Sequence, residues 1–93
     1  MTDIIYKTNG GVTEISPKNG TYYTLEELQK IVGGSIEILH LKGICDKFMI
    51  INEEGKLNKL PYNENATILY KLSLNTDDFI VGDALVCDKS KII

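Results

Sequence analysis

Hydrophobic and polar positions along this chain follow two rhythms. A period near two predicts strands, and a period near 3.6 predicts helix. "DIIYKT" and "VTEISP" flank "NGG" at 9–11. Asn-Gly supplies the positive-φ residues of a tight hairpin, so strands are predicted over 3–7 and 12–16, the second stopped by Pro17. Asn19-Gly20 marks another turn. "TLEELQKIVGG" is the clearest helix, over 24–33. Thr24 is its N-cap, and Glu27 three residues on completes a capping box. Leu25, Leu28 and Val32 share one face with Ile31 beside them, while Glu26, Gln29 and Lys30 face water. Gly33-Gly34 ends the helix, because glycine accepts the left-handed C-terminal cap. So short a helix does not hold alone and must dock on a sheet.

"SIEILHLK" alternates, with Ile36, Ile38 and His40 on one side and Glu37, Leu39 and Leu41 on the other. Two largely apolar faces predict a strand inside the sheet. "KFMIINEEGKLNKL" reads as a second hairpin: a strand over 48–52, a turn with Gly55 in the left-handed position, and a return over 57–60. Pro61 stops the return. "NENATILYKLSL" predicts a helical turn near 64–68, opened by Asn63 as cap. "NTDD" is a polar loop, and "FIVGDALVCD" is a final strand with Gly82 inside it, the mark of a bulge or a close backbone approach. Together these elements predict one α+β domain over 1–93: a curved, mainly antiparallel sheet of five to six strands with the 24–33 helix packed on it. Exposed edge strands in such a sheet make a homodimer a reasonable expectation.

Composition narrows the function. The 93 residues are 43% hydrophobic and 25% charged, ordinary for a folded domain. Net charge is -3, and every basic side chain is lysine. An acidic chain without arginine does not suit nucleic-acid backbone binding, so that reading is disfavoured. No apolar run has the length of a membrane span, and the N-terminus lacks the pattern of a secretory signal. The expected location is the cytoplasm, with no membrane partner. There, Cys45 and Cys87 are expected to be buried thiols rather than a disulfide.

The order "TLEELQKIVGGSIEIL", "MIINEEGKLNKLPYNENAT" and "DFIVGDALVC" resembles a small family of domains of unknown function, DUF3846-like, found in bacteriophages and bacterial mobile elements. The matching positions are 25–39, 49–67 and 78–86. That family often carries a basic residue after its Leu-Pro-Asn element, where this chain has Glu64 and Asn65. The resemblance implies a phage or mobile-element setting and brings no catalytic residues and no cofactor with it.

Four kinds of chemistry are open to the side chains. His40 with Cys45 or Cys87 would make a thiol dyad or part of a zinc site, but no ligand spacing supports either. Asp77, Asp78 and Asp83, with Asp88 beyond them, would suit a divalent metal in a hydrolase or transferase. The sequons at Asn19 and Asn65 need a secretory route that nothing indicates. Tyr62, Asn63, Asn65 and Thr67 form a dense polar group beside an apolar run, able to bind a ligand through neutral hydrogen bonds and a stacking ring. Equally, Asn63 can cap a helix and Asn65 and Thr67 can serve their own backbone. The leading expectation is a non-enzymatic binding protein, such as a host-defence inhibitor that grips a host protein or sequesters a small nucleotide signal. The alternative is a metal-dependent enzyme built on the aspartates.

Overall fold

Two antiparallel hairpins are bridged by the last strand of the chain, which lies between them. The computed structural model describes residues 3–43 and 46–92. Strands β1 (Asp3–Tyr6) and β2 (Val12–Ile15) form the first hairpin; β3 (Ile36–Leu41) and β4 (Lys47–Asn52) form the second. Strand β5 (Ala84–Cys87) pairs with β1 on one side and β4 on the other, so the sheet order is β2-β1-β5-β4-β3. Every pairing among the described strands is antiparallel. The fold class read from the sequence, α+β with a mainly antiparallel sheet of five to six strands, is the observed one, with five strands.

Helix α1 (Leu25–Val32) covers one face of the sheet and α2 (Glu64–Leu74) contributes to the core on the other. The pleat divides each strand between them. On the α1 face, Ile5, Ile50, Leu85 and Cys87 pack with Tyr23, Leu28 and Val32. On the α2 face, Leu41, Met49, Ala84 and Val86 pack with Ala66 and Ile80. This explains why all four residues of β5 are buried: the strand is central and covered on both sides.

The local signals around α1 hold. Thr24 Oγ1 accepts from Glu27 N at 3.1 Å, and the Thr24 backbone N–H donates to Glu27 Oε1 at 2.9 Å. The Thr24 N–H, then the Lys18 N–H, holds the Glu27 carboxyl below its ordinary range. Gly33 ends the helix at φ 82°, its N–H bonded to Gln29 O at 2.8 Å.

Four expectations are corrected. The 48–60 segment is not a hairpin, because β3 and β5 already occupy both sides of β4. Its 53–59 part coils through successive turns instead. Second, β3 is an edge strand; its second apolar face is covered from the α2 side rather than by interior placement. Third, the expected turn near 64–68 is an 11-residue helix ending in a left-handed Asn75. Fourth, the last strand begins at Ala84, after Gly82. Gly82 has φ 77° and donates to Pro61 O at 2.8 Å, and a Cβ there would meet Leu60 Cδ1 at 2.8 Å. A close backbone approach, not a bulge, is what that glycine serves.

Candidate functional site

The 61–67 segment answers its own ambiguity residue by residue. Asn63 is 0% and Thr67 1% exposed. Asn63 Oδ1 accepts from Ala66 N at 3.1 Å, which caps α2. Its Nδ2 donates to Tyr6 O and Gly82 O, both at 2.8 Å. Thr67 Oγ1 accepts from Ile80 N at 2.8 Å and donates to Ile80 O at 3.3 Å. The Asn63 backbone N–H adds a bond to Ile80 O at 2.9 Å. These two side chains therefore bolt the start of α2 to β1 and to the chain leading into β5. Burial next to apolar residues raises the cost of leaving any of these groups unpaired, which favours the inward arrangement.

Tyr62 and Asn65 stay nearer the surface. Tyr62 stands beside Phe79, ring centroids 6.1 Å apart. Asn65 is half-buried in the first turn of α2, three residues before Ile68. The segment is thus inverted: polar Asn63 and Thr67 inside, while Tyr62 (52%), Ile68 (50%), Leu72 (67%) and Phe79 (42%) are exposed. Ile68 and Leu72 are one turn apart and share a helix face. Periodicity missed this surface because the outward residues are as apolar as the inward ones.

Beside Phe79 lies a cleft of about 100 Å³, walled by Leu39, Ile51 and Tyr70 and rimmed by Glu37, Glu53 and Asp78. Lys56 pairs with Asp78 and holds its ammonium 4.4 Å from the centre of the Phe79 ring. Lys56, then the Phe79 N–H, draws the Asp78 carboxyl below its usual range.

The other chemistry candidates are scattered. Asp83 accepts from Thr8 N at 3.0 Å and faces Lys7 at 3.7 Å, so Asp78 and Asp83 serve different lysines, and Asp77 is exposed. Among the described residues no three His, Cys, Asp or Glu side chains are placed to hold a metal ion. His40 Nε2 lies 2.7 Å from Asp46 Oδ1, and His40 stacks edge-on against Phe48. Phe48 separates it from Cys87, which sits opposite Phe48 on the next strand. Cys45 lies outside the described residues. No helix among the described residues is long and apolar enough to cross a membrane.

Burial, then nearby Asp3, pushes the Cys87 thiol up to about 12. Thiol reactivity needs the thiolate and access. In a Cys45→Ser background, native protein is therefore expected to leave Cys87 unmodified by a disulfide reagent at mildly alkaline pH, with stoichiometric reaction on adding denaturant. Rapid labelling of the native form would show that Cys87 is accessible.

A family described as a domain of unknown function, DUF3846, matches residues 1–91. The chain belongs to the DUF3846 family. No curated protein and no solved structure matches it. The match spans every element of this DUF3846 domain, from β1 through the turn at Lys89–Lys91. Both hairpins, the bridging strand and the 62–79 segment thus lie within the family's extent.

Proposed function

We propose that this DUF3846 domain is a small non-enzymatic binding protein of the cytoplasm whose ligand is another protein. The observation that carries the reading is the inversion of the 62–79 segment. Asn63 and Thr67 are consumed inside, and Tyr62, Ile68, Leu72 and Phe79 are left exposed on a rigidly anchored helix and its flanks. Neighbouring aromatic and aliphatic side chains on a fixed scaffold are the raw material of a protein interface. In this reading Tyr62 and Asn65 touch the partner, while Asn63 and Thr67 position them. The motif resemblance supports the finer version, in which the protein acts for a phage or mobile element against a host protein, as a host-defence inhibitor would.

Nucleotide sequestration is the weaker reading. The cleft beside Phe79 holds about 100 Å³, well under the roughly 300 Å³ from which small-molecule sites usually start. Its rim also carries three carboxylates against one lysine, which repels phosphate.

The test is quantitative affinity capture with wild type, the double variant Ile68→Glu/Leu72→Glu, and Val12→Glu on the far edge strand. All three positions are exposed, so stability is expected to change by within about 0.5 kcal/mol. A partner retained by wild type and V12E but lost from I68E/L72E supports the proposal. Identical captures from all three sink it. A melting shift with any of a panel of nucleotides would favour sequestration instead.

A further inference from the structure

The edge strand β3 separates two grooves of different chemistry, and the pleat sends alternate residues to each. Ile36 and Ile38 line an apolar groove of about 370 Å³ with Leu25, Leu28 and Ile92 on the α1 side. Glu37 and Leu39 line the cleft on the α2 side, with Glu53, Tyr70 and Asp78. The backbone between them is open on one side. Glu53 N donates to Ser35 O at 2.8 Å, and the β3–β4 register runs unbroken from Ile36↔Asn52 to Leu41↔Lys47. Antiparallel bonding alternates, so the odd residues of β3 bond to β4, and the N–H and C=O groups of Ile36 and Ile38 point to the free edge. No proline, lysine or bulge within β3 blunts it.

We propose that β3 is a docking edge for an extended segment of a partner protein, adding as a sixth strand, with apolar and basic side chains in alternation. Main-chain bonds to Ile36 and Ile38 would hold such a strand, and alternate side chains would read the two grooves. The residue opposite Ile38 points to the α1 side and meets Leu25 and Ile92, so it is apolar. Its neighbours point to the α2 side and meet Glu37, Glu53 and Asp78, so at least one is lysine or arginine. Among the described residues neither Glu37 nor Glu53 has a side-chain hydrogen bond or ion pair, and the lysine that lines the cleft with them, Lys56, is paired with Asp78. Lys56 shows the chemistry from within: a lysine over the Phe79 ring, paired with Asp78, is what a partner's cation would reproduce deeper in the cleft.

This inference rests on the reading of the molecule as a protein-binding protein, but it places contact at β3 rather than on α2, so the two fail separately. The probe is the peptide acetyl-Gly-Val-Lys-Val-Lys-Val-Gly-amide, titrated into isotope-labelled protein and followed by amide shifts and hydrogen exchange. Saturable shifts on β3, slowed exchange at Ile36 and Ile38, and about tenfold or more weaker binding of the counterpart with glutamate for lysine are expected. The Ile38→Pro variant removes an edge N–H that bonds nothing in β4, so it should stay folded and lose the peptide. Glu37→Lys, which leaves two carboxylates against two lysines, should abolish the charge preference even if I38P misfolds. I68E/L72E should bind the peptide like wild type. Shifts that map to α2 or to β2, equal binding of the two peptides, or no shifts at millimolar peptide would overturn the proposal. So would a self-association in sedimentation that Glu37→Lys abolishes, since the occupant would then be a second copy of this chain.

Discussion

Replacing Asn63 with alanine is expected to remove on the order of 3–5 kcal/mol of stability, enough to unfold much of a marginal domain. Three bonds disappear around a fully buried side chain: the cap to Ala66 N and the two 2.8 Å bonds from Nδ2 to Tyr6 O and Gly82 O. Loss of the cap costs about 1 kcal/mol. Two carbonyls lose that donor, each at about 1–2 kcal/mol, since the Tyr6 bond is only part-buried. Asn63→Asp separates these contributions. Aspartate keeps an oxygen for the cap but cannot donate to the two carbonyls, and its charge would be buried against them. N63D should therefore be at least as damaging as N63A. Urea unfolding of both variants reads the result: a loss of unfolding free energy of less than about 1 kcal/mol for either would show that Asn63 is only a cap.

That expectation shows where sequence reasoning reached and where it stopped. The capping role of Asn63 is local, as is the Thr24–Glu27 box, and both were legible because donor and acceptor lie within three residues. The other half of Asn63 was not, because Tyr6 lies 57 residues away and Gly82 lies 19 away. The same division explains the strands. The first hairpin carries its turn chemistry in Asn9-Gly10-Gly11 and was read correctly. The second was misplaced because β4 takes β3, before it, and β5, some thirty residues on, rather than its own downstream neighbour. Helix α2 extended past the expected turn because its outward stripe includes Ile68 and Leu72, which erases the polar face that identifies a surface helix. As a result, the surface carrying the functional proposal is also where the pattern was least informative. A residue that keeps an apolar side chain in water adds nothing to the folding signal.

A second network, without any local signature, ties both ends of the chain to α1 and sets the other large effect. Asp3 is buried; its carboxylate accepts from the Tyr23 hydroxyl at 2.6 Å and from Lys91 Nζ at 3.0 and 3.2 Å. Tyr23 N also donates to Lys91 O at 2.9 Å, so β1, the loop before α1 and the C-terminal turn meet here. Lys91→Met is expected to cost about 3–5 kcal/mol, because it strands a buried carboxylate with the tyrosine as its remaining donor in this network. Asp3→Leu alone should cost a similar amount, because the phenol loses its acceptor and the ammonium loses both bonds to Asp3. Combining D3L, K91M and Tyr23→Phe replaces the whole network by apolar side chains of similar size, and most of the loss should return. Denaturant unfolding of the singles and the triple gives the coupling; additive losses would show that the three groups act independently. The phenol also carries a pH signature. Burial, then Asp3, holds Tyr23 far above its ordinary 10.0, so it stays protonated when the unfolded chain ionises. A folded pKa above the unfolded one contributes stability that is complete below pH about 10 and declines above it, because the unfolded state then binds fewer protons than the native state. Wild type should lose stability more steeply than Y23F as pH rises past that point, and parallel curves would place the tyrosine outside the network.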